Sequence, residues 1–201
     1  MKLYYAKSAC SLVIRIVLNE LNIPFADEAV DLRTKKTASG ADYLTLNFKG
    51  AVPAIELDNG EVITENQVIL QYLADSTKEQ KVLAAVGDIR RYRTLEWLNY
   101  ISTELHKTFG SLFNPNLPEE IKMNIIVPML VQRFTTVSTK LANKNYIMGD
   151  ELTLPDAYLF VMLRWAQKFN IDLAACGNLE AFMVRMQERP AVIDSLAQEE
   201  A

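Results

Sequence analysis

The hydrophobic periodicity of this chain changes character once, and that change limits the possible folds more than any other feature. Up to about residue 76, short β-like runs at 2 to 5, 25 to 31, 53 to 57 and 61 to 64 alternate with helical runs, the order of a βαβ unit followed by a hairpin and a helix. After Asp88, a suitable helix N-cap, nothing strand-like persists, and segments of helical period occupy roughly 88 to 113, 118 to 142, 153 to 169 and 178 to 198. The predicted fold class is therefore α/β plus all-α: a mixed domain over 1–80, a linker over 81–87 and a helical domain over 88–201. Pro118 suits the first turn of a helix, whereas Pro128 falls inside a periodic segment and is expected to kink or interrupt it.

Composition narrows the function classes. Half of the 201 residues are apolar, enough for a sizeable core. With 21 basic and 25 acidic residues spread along the chain and a net charge of −4, there is no basic footprint for nucleic acid. The two cysteines lie 166 positions apart, with neither a CxxC pair nor a metal-ligand spacing, which fits a reducing compartment and no metal. There is no leader pattern, and no apolar run approaches the roughly 18 residues of a membrane span, so a soluble cytoplasmic protein is expected.

Cys10 stands after the first strand pattern and at the mouth of an apolar helix pattern, Ser11 to Asn22. It reads either as a small buried hydrophobe or as a reactive thiol whose pKa the helix dipole lowers. Farther on, Lys49-Gly50-Ala51-Val52-Pro53-Ala54 leads into two short strands joined at Asp58-Asn59-Gly60. A proline at a strand entry removes one ladder donor, so Val52 can offer its N–H and C=O to an extended peptide; the sequence leaves the Val52-Pro53 isomer open. Thr64 and Gln67 have capping-box spacing, so a helix is expected to start near Glu65, where free N–H groups suit a carboxylate and the Glu65 side chain suits an ammonium. An amino acid end carries both charges.

In the helical half, Leu95, Leu98, Ile101, Leu105, Phe109 and Leu112 form an apolar stripe. Asn99, Thr103 and His106, the one histidine, step along an adjoining polar stripe. Thr153 and Asp156 have capping spacing, and Gly177 reads as a helix stop just after Cys176, to which a structural role is assigned.

Met1-Lys2-Leu3-Tyr4-Tyr5 with Ala9-Cys10-Ser11-Leu12, Lys49-Gly50 with Val52-Pro53-Ala54, Thr64-Glu65, Tyr72-Leu73-Ala74-Asp75, Glu96-Trp97-Leu98-Asn99-Tyr100-Ile101 with Glu104-Leu105-His106-Lys107, Asp156-Ala157-Tyr158-Leu159-Phe160, Arg164-Trp165 and Glu188-Arg189-Pro190 run from end to end of the chain. In that order and spacing they resemble the glutathione transferases, closest to the bacterial beta class that carries an N-terminal cysteine. The resemblance implies a thioredoxin-like N-terminal domain followed by an all-helical domain, a homodimer, glutathione as co-substrate and a small hydrophobic electrophile as second substrate. It assigns catalysis to Cys10 and His106, with Tyr4 and Tyr5 as rival thiolate donors. Glutathione contacts fall on Cys10, Lys35 (with Lys36 beside it), Val52, Glu65, Asn66, Asn99, Thr103 and His106, and the electrophile pocket near residues 103 to 117 and Arg164-Trp165.

Conjugation is the implied reaction, with thiol–disulfide exchange through Cys10 as a second activity. A glutathione-dependent disulfide reductase or peroxidase, and a non-catalytic glutathione-binding module, are the alternatives. Three departures stand out from the class pattern: Lys7-Ser8 where Pro-Gly is common, Phe48 for a proline and Asn66 for a serine.

Overall fold

In the computed structural model, which describes residues 1–77 and 80–200, the chain forms two compact units, one of residues 1–80 with 188–201 and one of residues 81–187. The last helix thus joins the first unit, although its period alone groups it with the helices before it.

The first unit is built on a five-stranded sheet of β1 (Lys2–Tyr5), β2 (Ala26–Asp31), β3 (Lys36–Thr37), β4 (Ala54–Glu56) and β5 (Val62–Thr64), in the order β3-β2-β1-β4-β5. β1 and β2 are parallel, as the helix α1 (Leu12–Glu20) between them requires, and the other pairs are antiparallel. Alternation along β1 sends Leu3 and Tyr4 to opposite faces. Leu3 lies opposite Ile55, and both are buried with the apolar positions of α1 and of α2 (Asn66–Ser76). Tyr4 joins Val30, Tyr43, Val52 and Ala54 in a second cluster, against which Ala6 and Ala9 pack, so the segment bearing Cys10 and the Val52 turn share that core. β3 is two residues long and carries no period of its own; Glu28 fastens it through Ser39, whose hydroxyl donates at 2.5 Å, and this hydrogen bonding holds the Glu28 carboxyl down at about 2.

The helix α9 (Pro190–Glu200) packs on α1. Arg189 is paired with the buried Glu20 at 2.7 Å, and the Asn19 amide donates to Ser195 Oγ at 2.8 Å. The expected single helix over 178 to 198 is interrupted because Pro190 has no N–H to continue α8 (Gly177–Gln187); it opens α9 instead. Gly177 starts α8 and stops nothing, a correction to its reading as a C-cap: the chain reaches it from a turn in which Cys176 N–H bonds to Leu173 O. Cys176 is buried, in keeping with its structural role.

The second unit is helical. α3 (Ile89–Tyr100), capped by Asp88 on the Arg90 amide, runs through a π segment (Ile101–His106) into α4 (Lys107–Phe113). α5 (Glu119–Ile121) passes through a second π segment (Lys122–Ile126) into α6 (Val127–Leu141). Pro128 does disturb its helix: the missing donor coincides with a π turn just before it, and the axis then continues. α7 (Leu154–Lys168) opens on the expected capping box, with Asp156 fully buried and accepting from Thr153 N–H, Thr153 Oγ1 and Ile147 N–H, each at 2.8 Å. Among the described residues, no helix is long and apolar enough to cross a membrane.

Candidate functional site

The turn between β1 and α1 is fastened from within by Ser11, whose Oγ accepts from Ala6 N–H and donates to Ala6 O, both at 3.2 Å. Cys10 precedes the N-cap Ser11 and is only 8% exposed, with Sγ–H donating to Val52 O at 3.2 Å. Burial pushes the thiol up to about 11; the Asn66 side chain and Cys10's own backbone pull the other way, and the Glu65 charge adds to the rise. This corrects the expectation of a thiol acidified by its helix. A helix dipole acts within about one turn and partly through solvent, and withdrawal from water outweighs it here.

The Val52-Pro53 bond is cis. Tyr43 Oη and Asn47 Nδ2 both donate to Ala51 O, at 2.9 and 2.8 Å, and so pin the strand entry. Among the described residues, no hydrogen bond takes up the Val52 N–H, which leaves the donor an extended peptide would use. Lys35, at φ 57, lays its chain over Gly50 and donates from Nζ to Gly50 O at 2.7 Å. A Cβ on Gly50 would stand 3.2 Å from that chain, so glycine is what lets the lysine lie beside the Val52 turn. Lys36 belongs to β3 and is exposed.

The start of α2 is one residue later than a Thr64 cap would put it. Thr64 ends β5, and Glu65 is the N-cap at φ 75 with no side-chain cap bond, so the Thr64–Gln67 capping box does not form: the strand holds Thr64 extended in the ladder. Glu65 keeps its carboxylate exposed and pairs it with Lys49, which also donates to Thr64 Oγ1 at 2.7 Å. Asn66 is 6% exposed, and its Oδ1 is buried without a hydrogen-bond partner among the described residues. An unpaired buried acceptor costs about 1–3 kcal/mol, which a ligand donor would relieve. Within the first unit Cys10 is thus joined to Val52 and Asn66, the Glu65 charge acts on it, and Lys35 is tied to Gly50, two residues before Val52.

In the second unit, Asn99 and Thr103 are exposed on one helix line, Thr103 Oγ1 donating to Asn99 O at 3.0 Å. His106 ends the π segment. It is half-buried, its Nδ1 hydrogen-bonded to Tyr158 Oη at 2.5 Å and its ring set edgewise to Trp165 at 5.1 Å. Trp165 meets the part-exposed Phe113 at 4.9 Å, and Arg164 lies over Phe160.

Tyr4 is no thiolate donor: its hydroxyl donates to Glu56 at 2.7 Å, and burial with that carboxylate pushes its pKa strongly up. Tyr5 lies against the Arg15 guanidinium, 4.4 Å from the ring centroid. Two participants escaped the sequence reading. Lys49 pairs with Glu65 across 16 positions, which its Lys49-Gly50 neighbourhood does not signal. Tyr158 gave no local signal, because its tie to His106 spans 52 positions.

A thioredoxin-like sheet, a cis-proline turn beside a cysteine and an all-helical unit define a class, and the comparisons name it. Residues 7–76 match the glutathione S-transferase N-terminal domain and residues 100–190 the C-terminal domain. Glutathione S-transferase GstA of Escherichia coli O157:H7 is 46% identical, over 99% of this chain and 98% of its own length. The structure of a ternary complex of BphK, a bacterial transferase, is 44% identical with a TM-score of 0.96 over 100% of each chain. A beta-class enzyme of Sphingomonas chungbukensis is 38% identical with a TM-score of 0.94, over 99% of this chain and 98% of its own. This chain belongs to the glutathione S-transferase family.

Proposed function

We propose that this glutathione transferase holds reduced glutathione along the Val52 turn and the start of α2, and directs its sulfur at small hydrophobic electrophiles. The observation that carries the assignment is the set of groups gathered there: the Val52 N–H and the buried Asn66 Oδ1, which have no hydrogen-bond partner among the described residues, and the exposed Glu65 carboxylate, which Lys49 holds. Val52 pairs with the cysteinyl unit. Glu65 and Asn66 hold the γ-glutamyl end, the ligand ammonium replacing Lys49 on Glu65. Lys35 takes the glycyl carboxylate, and Asn99, Thr103 and His106 are assigned to the same ligand.

Glutathione's sulfur gives up its proton to solvent base, attacks the electrophilic carbon and expels a leaving group, or adds to an activated double bond whose far carbon then takes a proton. Cys10, held as a thiol, is a hydrogen-bond donor to that sulfur more than a nucleophile, which favours conjugation over disulfide exchange. His106, held through Nδ1 by Tyr158, is assigned to proton transfer or to donation toward the thiolate. Phe113 and Trp165 supply an aromatic seat for the second substrate.

Two further parts of the proposal are a homodimer and a cytoplasmic location. Phe48 is 87% exposed, a large apolar side chain suited to a partner subunit, and both cysteines are unpaired, which suits a reducing compartment.

Titration calorimetry with glutathione tests the site. Glu65→Ala is expected to weaken binding by about 1.5–3 kcal/mol, tenfold or more, through loss of the ammonium's partner. An unchanged dissociation constant removes Glu65 from the site. Conjugation of a generic aryl halide, measured beside disulfide reduction, separates the transferase from the redox alternative.

A further inference from the structure

The turn that carries Cys10 is also gripped by the end of the chain's last helix. Ser8 sits at φ 60, a left-handed conformation that a residue with a Cβ keeps only when its surroundings hold it there. Its N–H donates to Glu199 Oε2 at 3.1 Å. Glu199 is 7% exposed, so this acceptor is a carboxylate largely withdrawn from water, and bonds to ionised acceptors are roughly twice as strong as neutral ones. Lys7 meets Glu200 at 2.6 Å beside it, but that pair is exposed on both sides and holds little. α9 is itself anchored on α1 through Arg189–Glu20 and Asn19–Ser195. The grip is therefore a fixed one, 191 positions along the chain from the residue it holds.

We propose that Glu199 is a positioning residue for Cys10: by holding the Ser8 amide it fixes the turn that seats the thiol against the Val52 carbonyl. The need for it lies in this chain's own residues. Lys7-Ser8 stands where a glycine would enter the left-handed region unaided, and here an external acceptor replaces glycine's freedom. The catalytic meaning of this grip rests on the reading of Cys10 as a glutathione contact; the positioning itself does not.

The test uses the full chain and four proteins: the parent, Glu199→Gln, Glu199→Ala and Arg189→Gln. Iodoacetamide labelling of Cys10 relative to Cys176, read by peptide mapping under native conditions, reports the hold on the turn. Glu199→Ala is expected to raise the Cys10:Cys176 ratio about tenfold, since the turn then opens at lower cost. Glu199→Gln keeps an uncharged acceptor of the same shape and is expected to raise it two- to threefold on the same grounds. Arg189→Gln loosens α9 on α1 but leaves Ser8 its acceptor, so it is expected to raise the ratio by less than Glu199→Ala does. An unchanged ratio in Glu199→Ala, or an equal rise in Arg189→Gln, overturns the proposal; should Glu199→Ala not fold, an unchanged ratio in Glu199→Gln does the same. Glutathione affinity measured on the same proteins separates the two ideas. If labelling rises while affinity holds, Glu199 positions the turn and it is Cys10's part in glutathione binding that falls.

Discussion

At the scale of single residues, Cys10 shows how far a residue's type and neighbours in sequence can mislead about its chemistry. Its place before a helix was legible; its withdrawal from water was not, nor were its partners Val52 and Asn66, more than forty positions away. With the folded thiol raised from 9.0 to about 11, the folded state binds this proton more tightly than the unfolded chain does. The stabilisation is complete below pH 9 and is lost as pH rises to about 11, amounting to about 2–3 kcal/mol. Urea denaturation of the parent and of Cys10→Ala at pH 8 and pH 11 checks this: the parent should lose that much more stability than the variant. Oxidised glutathione should modify Cys10 slowly at neutral pH and faster as pH rises, and Cys10→Ala should abolish that adduct while only reducing conjugation, because bound glutathione brings its own sulfur. A Cys10 adduct forming at full rate near pH 7 would contradict the raised thiol.

Among the elements, those defined by local pattern are where the sequence puts them. β1, α1, the β4–β5 hairpin and α7 with its capping box follow from alternation, helical period and cap residues. What escaped was decided by tertiary packing. β3 is too short to have a period, the two π segments lie within runs of unbroken helical pattern, and Thr64 was claimed by a strand before it could cap a helix. The box at the start of α7 has a measurable weight. Asp156→Ala strips acceptors from two backbone N–H groups, of Ile147 and Thr153, and a half-buried hydroxyl, so thermal or urea unfolding should show a loss of about 3 kcal/mol or more. Thr153→Ala leaves the carboxylate on the Ile147 amide and should cost about 1 kcal/mol. Equal losses would mean that Asp156 acts only on its own helix.

For the whole molecule, the family and its two-part order were readable because many short motifs occur in one sequence and spacing, whereas the membership of α9 in the first unit was not, since Asn19, Glu20 and Ser8 meet their partners only after the chain returns. Glutathione binds the native state alone, so a hundredfold excess over its dissociation constant should add about 2.7 kcal/mol and raise the melting temperature. No shift in melting temperature, together with no heat of binding, would remove the glutathione site from this protein. Phe48→Asp should lower the sedimentation coefficient to that of a single chain if the proposed homodimer uses that side chain.

The return of residues 188–200 to the first unit also sets a timetable for the ribosome. The sheet and α1 leave the exit tunnel early, but the helix that covers α1 and clasps the Ser8 amide is translated only after the intervening 81–187. At about 5–20 residues per second that interval is on the order of ten seconds, during which the apolar and charged face of α1 waits uncovered. The nascent chain is most exposed to chaperones and proteases in that window, and a stalled message ending near Gln187 would release a first unit that had never been closed.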